Sequence, residues 1–275
     1  MGAILGRRGK GTDMLLAVDV GNTQTHVGLF SERQLEASWR FATEAKRTGD
    51  ELAVLIDSLL RLDGFSKNDI SGLALASVVP SLTGEYVSMA AAKLGLEALV
   101  VGPGVKTGMP ILTADPRQVG PDLIVDAVAA LELYGAPCIA VDFGTATTFS
   151  AVSAAGEYLG HAIAPGIEIS LDALATRAAR LMKVDLVDPG SVIGKNTVQS
   201  MQAGAVYGFA GQVDGIVTRM RQELGGRAVA VATGGLAPLI FEHTSTLDHL
   251  DPLLTLRGLE IIYRRNYVSA PPVVG

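Results

Sequence analysis

Leu15-Leu16-Ala17-Val18-Asp19-Val20-Gly21-Asn22-Thr23 is the stretch on which the fold turns. Four apolar residues run into an aspartate; a glycine, an asparagine and a hydroxyl follow. That order predicts a buried strand ending in a tight turn. The aspartate falls where the strand meets solvent, and glycine lets backbone N–H groups approach an anion. A single copy is most simply a hairpin. The same grammar recurs at Cys138-Ile139-Ala140-Val141-Asp142-Phe143-Gly144-Thr145-Ala146-Thr147-Thr148. The two aspartates stand 142 − 19 = 123 positions apart in a chain of 275 residues, which implies a duplicated half-chain. A pair of such turns can hold one polyphosphate.

Composition narrows the class. Hydrophobic residues make up 48% and charged residues 18% of the chain, enough for a large core and against disorder. A net charge of −6 argues against nucleic acid as the main partner. The single cysteine, Cys138, lies in an apolar run and reads as a small core residue. It excludes an intrachain disulfide and points to a reducing, cytoplasmic compartment. No stretch approaches the roughly 20 apolar residues of a membrane span. Residues 1–13 carry Arg7, Arg8 and Lys10 among glycines and lack the apolar core of a signal peptide, so a disordered extension or tag is expected there.

The first half reads β-β-β-α-β-α-β. Thr25, Val27 and Leu29 alternate as in a strand, and a third strand follows around Leu35–Phe41. Leu52, Leu55, Ile56, Leu59 and Leu60 stripe a helix over Thr48–Leu62. A strand over Gly72–Val79 stops at Pro80, a helix over Ser81–Leu94 takes Ser81 as its N-cap, and Ala98–Val101 is a short strand. Residues 102–118, rich in Gly and Pro, form a surface connection. Gly120-Pro121-Asp122 opens a helix to Tyr134, with Asp122 near the positive end of its dipole. The second half repeats the opening: strands to Asp142, over Thr147–Ser153 and over Glu157–Ile163. A helix runs from Pro165-Gly166 to about Ala179, and a long one spans Val198–Leu224. Small residues at Ala203, Gly204, Ala205, Gly208, Ala210 and Gly211 give the long helix a flat face, suited to close packing within the fold or across a dimer. A strand over Ala228–Ala232 meets Thr233-Gly234-Gly235, and the last helix lies near Leu254–Arg265, before a Pro-containing tail. The domains expected are 14–119 and 120–275.

Three glycine turns thus follow apolar strands, at Gly21, Gly144 and Gly234-Gly235, and ligands of open α/β sheets bind beyond the carboxyl ends of strands. Neither a Walker A sequence nor G-x-G-x-x-G is present, so the P-loop and Rossmann readings fall away. The ordered set Asp-Val-Gly-Asn-Thr at 19–23, Gly-x-Asp at 120–122, Asp-Phe-Gly-Thr-Ala-Thr-Thr at 142–148, Gly-Lys-Asn-Thr at 194–197 and Thr-Gly-Gly at 233–235 resembles type III pantothenate kinase. That family belongs to the actin, sugar-kinase and heat-shock-ATPase superfamily. The resemblance implies an α/β chain of two duplicated ribonuclease-H-like domains, each with a central mixed sheet. It implies transfer of the ATP γ-phosphoryl group to the primary hydroxyl of pantothenate, opening coenzyme A synthesis. It further implies a homodimer with a shared site, Mg²⁺ with ATP, and a monovalent cation, K⁺ or NH₄⁺.

Carried over residue by residue, the resemblance makes Asp19, Val20, Gly21, Asn22, Thr23, Gln24, Thr25 and His26 the first ATP-phosphate loop. Thr145 is the hydroxyl contact of the second loop, and Gly234 and Gly235 form the adenosine-side turn. Asp142 lies near the monovalent cation. Asp122 is the general base, within Gly120, Pro121, Asp122 and Leu123 of the pantothenate-contacting segment, and Thr197 reaches the substrate from the other subunit. From the residues alone, Lys195 is equally a solvated surface lysine, and His26 either touches phosphate or faces solvent. Two positions depart from the family's pattern: Leu123 replaces an arginine, and Asp126 stands where asparagine is expected. Arg117 is the nearest upstream substitute cation. Asp126, one turn from Asp122, is expected either to raise the Asp122 pKa as a like charge or to lie solvated on the helix surface, with Leu123 buried. The departures keep open a kinase-fold regulatory homologue with weak or no activity, or a kinase for another small alcohol.

Overall fold

The structure is a computed structural model and describes residues 13–178 and 181–267. The expectations for residues 1–12, for the helix end at Ala179 and for the Pro-containing tail lie outside those residues. The chain divides into two compact units, one ending at Val101 and the other beginning at Gly102.

The first unit holds strands β1 (Met14–Val20), β2 (Gln24–Ser31), β3 (Gln34–Ala42), β4 (Ile70–Ser77) and β5 (Ala98–Val100), in the order β3-β2-β1-β4-β5. β1 pairs antiparallel with β2 and parallel with β4. Leu16, Val18 and Val20 alternate onto one face of β1 and join a core with Leu52, Ile56 and Leu60 of α1 (Gly49–Leu62). Thr48 and Glu51 close a capping box at the start of α1, each side chain binding the other's backbone N–H. The second helix, α2 (Pro80–Met89), starts differently from expectation. Its N-cap is Val79, Pro80 occupies the first turn, and Ser81 donates its hydroxyl to the Ala45 carbonyl instead of capping. Proline suits that position because the N–H it lacks has no helical partner there.

The second unit begins with the 102–118 segment and α3 (Pro121–Tyr134). Its strands are β6 (Cys138–Phe143), β7 (Ala146–Val152), β8 (Tyr158–Pro165), β9 (Val229–Thr233) and β10 (His249–Leu250), in the order β10-β9-β6-β7-β8. β6 pairs antiparallel with β7 and parallel with β9, so this sheet repeats the first strand for strand. On one face, Ile139, Val141 and Phe143 pack with α4 (Ile167–Arg177) and α5 (Thr197–Glu223). A short α6 (Ala237–Phe241) follows β9. On the other face, α3 lies on β6 and β7 and packs along α7 (Leu254–Tyr267). That crossing is tight: a Cβ on Gly258 would run into the Val125 carbonyl.

The chain divides between Val101 and Gly102, so the 102–118 segment falls with the second unit. The reason is backbone pairing. Tyr158 N–H donates to the Pro110 carbonyl and Leu112 N–H to that of Tyr158, each at 2.8 Å, fastening the connection to the edge of the second sheet. No helix among the described residues is long and apolar enough to cross a membrane.

Candidate functional site

The first turn leaves β1 at Val20. Gly21 N–H donates to the Gln24 carbonyl at 3.1 Å, and a Cβ on Gly21 would lie 2.9 Å from that same oxygen. Asn22, Thr23 and Gln24 are exposed, whereas the Val20 side chain is fully buried and offers only its backbone. Thr25, expected among the phosphate contacts, turns inward: it is buried, and its hydroxyl lies 2.9 Å from that of Thr43. It braces the turn from inside. His26 stands opposite Asp19 on β1 and opposite Arg40 on β3. Burial, aided by the Arg40 charge, pushes its pKa down to about 4, so the ring is neutral at neutral pH.

The second turn is one residue shorter. Only Gly144 and Thr145 separate β6 from β7, and Gly144 N–H donates to the Ala146 carbonyl at 3.1 Å. Asp142 stands opposite Thr148 and Thr233 in the sheet. Two glycines allow backbone to close on it, and a third closes on the turn that follows. A Cβ on Gly144 would sit 3.1 Å from Asp142 Oδ2. Gly234, at φ +95°, would drive a Cβ into Asp142 Oδ1 and to 2.6 Å from Phe143 N. Gly166, the N-cap of α4, would drive one into the Thr145 carbonyl. The ends of β6 and β9 therefore converge at one carboxylate, while the start of α4 packs against the Gly144–Thr145 turn beside it. From the sequence, Gly166 read only as a helix start; its closeness to Thr145 depends on packing between distant segments. Carboxylate, hydroxyl and carbonyl oxygens suit a hard cation. Among the described residues no group of three or more His, Cys, Asp or Glu side chains forms a metal cage. A divalent ion bound mainly through nucleotide phosphates fits that donor set.

Asp122 sits in the first turn of α3, behind Gly120 as N-cap and Pro121. Its Oδ1 accepts from Leu123 N–H at 2.9 Å, and a Cβ on Gly120 would collide with that oxygen. Burial pushes the Asp122 carboxyl up, while the N–H groups of Leu123 and Asp122 and the charge of His161 pull it partly back. The expected direction thus arises, with burial as its largest cause. Asp126 is itself buried, 4% exposed, which overturns its reading as a solvated surface residue. Leu123 is buried as well. Arg117, the substitute cation expected upstream, lies on an exposed turn with its Nε 3.0 Å from Asp115 Oδ1. Sequence reasoning missed the groups beside Asp122. Tyr158 is fully buried, its hydroxyl 3.3 Å from Ser150 Oγ and 3.0 Å from His161 Nδ1. The only sequence signal was a tyrosine and a histidine three apart across a strand irregularity, which nothing local links to Asp122.

Thr197 opens α5, exposed, with Asn196 capping the helix through Gln199 N–H. It borders a cavity of about 520 Å³ between α4 and α5, lined also by Leu171, Leu174, Met201 and Phe209. Lys195 is exposed, and only its backbone N–H is engaged, with Gln199 Oε1. Among the described residues, Gly204, Gly208 and Gly211 on α5 meet nothing within 4 Å of a built Cβ, so no close packing is made at these glycines there.

Duplicated five-stranded sheets with a matching Asp-x-Gly turn at the end of each first strand define the fold class: the ribonuclease-H-like architecture of actin-type ATPases and sugar kinases. Solved structures agree on the fold. Component A of (R)-2-hydroxyglutaryl-CoA dehydratase from Acidaminococcus fermentans superposes with a TM-score of 0.54 at 15% identity, covering 91% of this chain and 97% of its own. The ethanolamine utilization protein EutJ from Carboxydothermus hydrogenoformans gives 0.54 at 13%, covering 90% and 89%. Sequence comparison is more specific. The pattern of the type III pantothenate kinase family matches residues 15–219. The type III pantothenate kinase of Moorella thermoacetica is 55% identical over 253 residues, 92% of this chain and 100% of that protein. That of Streptomyces avermitilis is 53% identical over 261 residues, 92% and 98%. The chain belongs to the type III pantothenate kinase family.

Proposed function

We propose that this protein transfers the γ-phosphoryl group of ATP to the primary hydroxyl of pantothenate, giving 4'-phosphopantothenate, the first step of coenzyme A biosynthesis. The observation that carries this reading is family membership over nearly the whole chain. Phosphoryl transfer is mostly positioning and charge neutralisation. The backbone around Gly21 and Gly144, with the Thr145 hydroxyl, binds phosphate oxygens, and Gly234 and Gly235 border the adenosine. His26 meets phosphate as a neutral donor, since burial keeps it uncharged. Asp122 accepts the proton of the substrate hydroxyl as attack proceeds; burial raises its basicity. Mg²⁺ accompanies the ATP, and a monovalent cation, K⁺ or NH₄⁺, held at Asp142 would neutralise phosphate charge.

The active unit is a homodimer in which Thr197 completes the partner's pantothenate site. The open glycine face of α5 and the exposed position of Thr197 support it. The compartment is cytoplasmic, in keeping with one buried free thiol.

A coupled assay of ADP release, with and without pantothenate and K⁺, tests the reading. Release that requires pantothenate and rises with K⁺ is expected. No pantothenate-dependent release would overturn it. Buried Leu123 supplies no charge to a substrate carboxylate, and that favours a second reading, a kinase for a different, uncharged alcohol. ADP release with such an alcohol and none with pantothenate would establish it.

A further inference from the structure

Pantothenate is an acid, and neither residue from which the sequence suggests a cation supplies one beside Asp122. Leu123 is apolar and buried, and Arg117 is tied to Asp115. Chain direction brings another group there. α3 turns directly into β6 through 135–137 and so runs opposite to it. β8, two antiparallel steps from β6, runs with β6 and against α3. Gly156, at the β7–β8 turn, lies against α3: a Cβ on it would be 3.5 Å from Leu131 Cδ2. From Leu131 back to Asp122 is about 13 Å along a helix at about 1.5 Å per residue. From Gly156 forward to His161 is about 13–16 Å along a strand, allowing for the irregularity. The two paths start together and are about equal in length, which points to His161 lying toward the Asp122 end of α3. The register agrees: His161 stands opposite Ser150, two positions from the Thr148 that faces Asp142. The His161 charge is also felt at Asp122.

The imidazole is oriented for use. Tyr158, fully buried and braced by Ser150, holds Nδ1 at 3.0 Å. Where the Tyr158 hydroxyl donates to Nδ1, or where the ring is charged, Nε2 carries a proton, and among the described residues it has no hydrogen-bond partner. The side chain is exposed. We infer that His161, positioned by Tyr158, is a specificity-determining residue of the acceptor pocket: its Nε2–H binds the carboxylate of the substrate, the role that Leu123 cannot fill.

This inference rests on pantothenate as acceptor and is tested by binding separately from turnover. Titration calorimetry would compare pantothenate with pantothenol, which keeps the primary hydroxyl but replaces the carboxylate by an alcohol. A hydrogen bond to a charged group is worth roughly ten-fold or more in affinity. His161→Ala is therefore expected to weaken pantothenate binding about ten-fold and to leave pantothenol within about two-fold. His161→Lys should recover most of the loss, and Tyr158→Phe should produce a smaller loss in the same direction. Equal effects on both ligands, no effect on pantothenate, or no binding of pantothenate by the unaltered protein would overturn it. Binding with the expected pattern but without phosphoryl transfer would uphold it and overturn the kinase reading instead.

Discussion

Asp122, the proposed base, would set activity against stability. Its pKa is raised in the folded protein, so folding binds a proton more tightly there. An ionised Asp122 therefore costs stability at neutral pH, and stability rises as pH falls through its folded pKa. Asp122→Asn keeps the size and removes both the charge and the proton acceptor. Its kcat should fall by about 10²–10⁴-fold while the Tm at pH 7 rises. The acidic limb of the pH–rate profile should lie above the ordinary aspartate value of 3.8. A folded variant with near-normal kcat would remove Asp122 as base. His26 has the opposite sign. Its pKa falls from 6.5 to about 4 on folding, so its contribution is complete above pH 6.5 and is lost as pH falls toward 4. In His26→Gln the Tm should depend less on pH across that window. An unchanged pH slope would show that other groups govern acid stability.

At the scale of elements, glycines decide how closely backbones meet. A methyl group at Gly258 would collide with the Val125 carbonyl and push α7 off α3. Gly258→Ala should cost about 1–3 kcal/mol in denaturant unfolding, despite alanine's better helix propensity. At Gly166 the same change would press on Thr145 and displace the second turn from beneath. It should lower kcat/KM for ATP more than it lowers the Tm. The cation proposed at Asp142 belongs to this scale too, because the ends of β6 and β9 close on that carboxylate. Activity should be higher in K⁺ or NH₄⁺ than in Na⁺ or Tris, and Asp142→Asn should weaken the dependence. Equal rates in all four salts would remove the cation from Asp142.

For the whole molecule, a shared site predicts complementation. Asp122→Asn and Thr197→Val homodimers should each be weakly active. Mixed and exchanged, they should regain activity, because one site of each heterodimer carries both wild-type residues. No recovery on exchange, or a fully active monomer in sedimentation, would refute the shared site. Gly208→Ala adds a second check. Its Cβ meets nothing among the described residues, so it should not destabilise the monomer fold, yet it should weaken the dimer if α5 forms the interface.

The sequence by itself determined the duplication, the strand-end turns and nearly every helix, because each is written in short-range periodicity and turn chemistry. Asp19-Val20-Gly21 and Asp142-Phe143-Gly144 do open matching turns, and the Leu52, Ile56 and Leu60 stripe does face the core. Packing between distant segments decided the rest. β10 is two residues long and has no period to detect; it exists because β9 lies beside it. Residues 102–118 join the second unit because their backbone N–H and carbonyl groups pair with β8. Thr25 turns inward because Thr43 waits there, and Ser81 caps nothing because Ala45 takes its hydroxyl. The inferred nearness of His161 to Asp122 depends on strand order and helix direction. Hydrogen-bond partners far apart in the chain leave no local pattern, so only the tertiary structure could assign them.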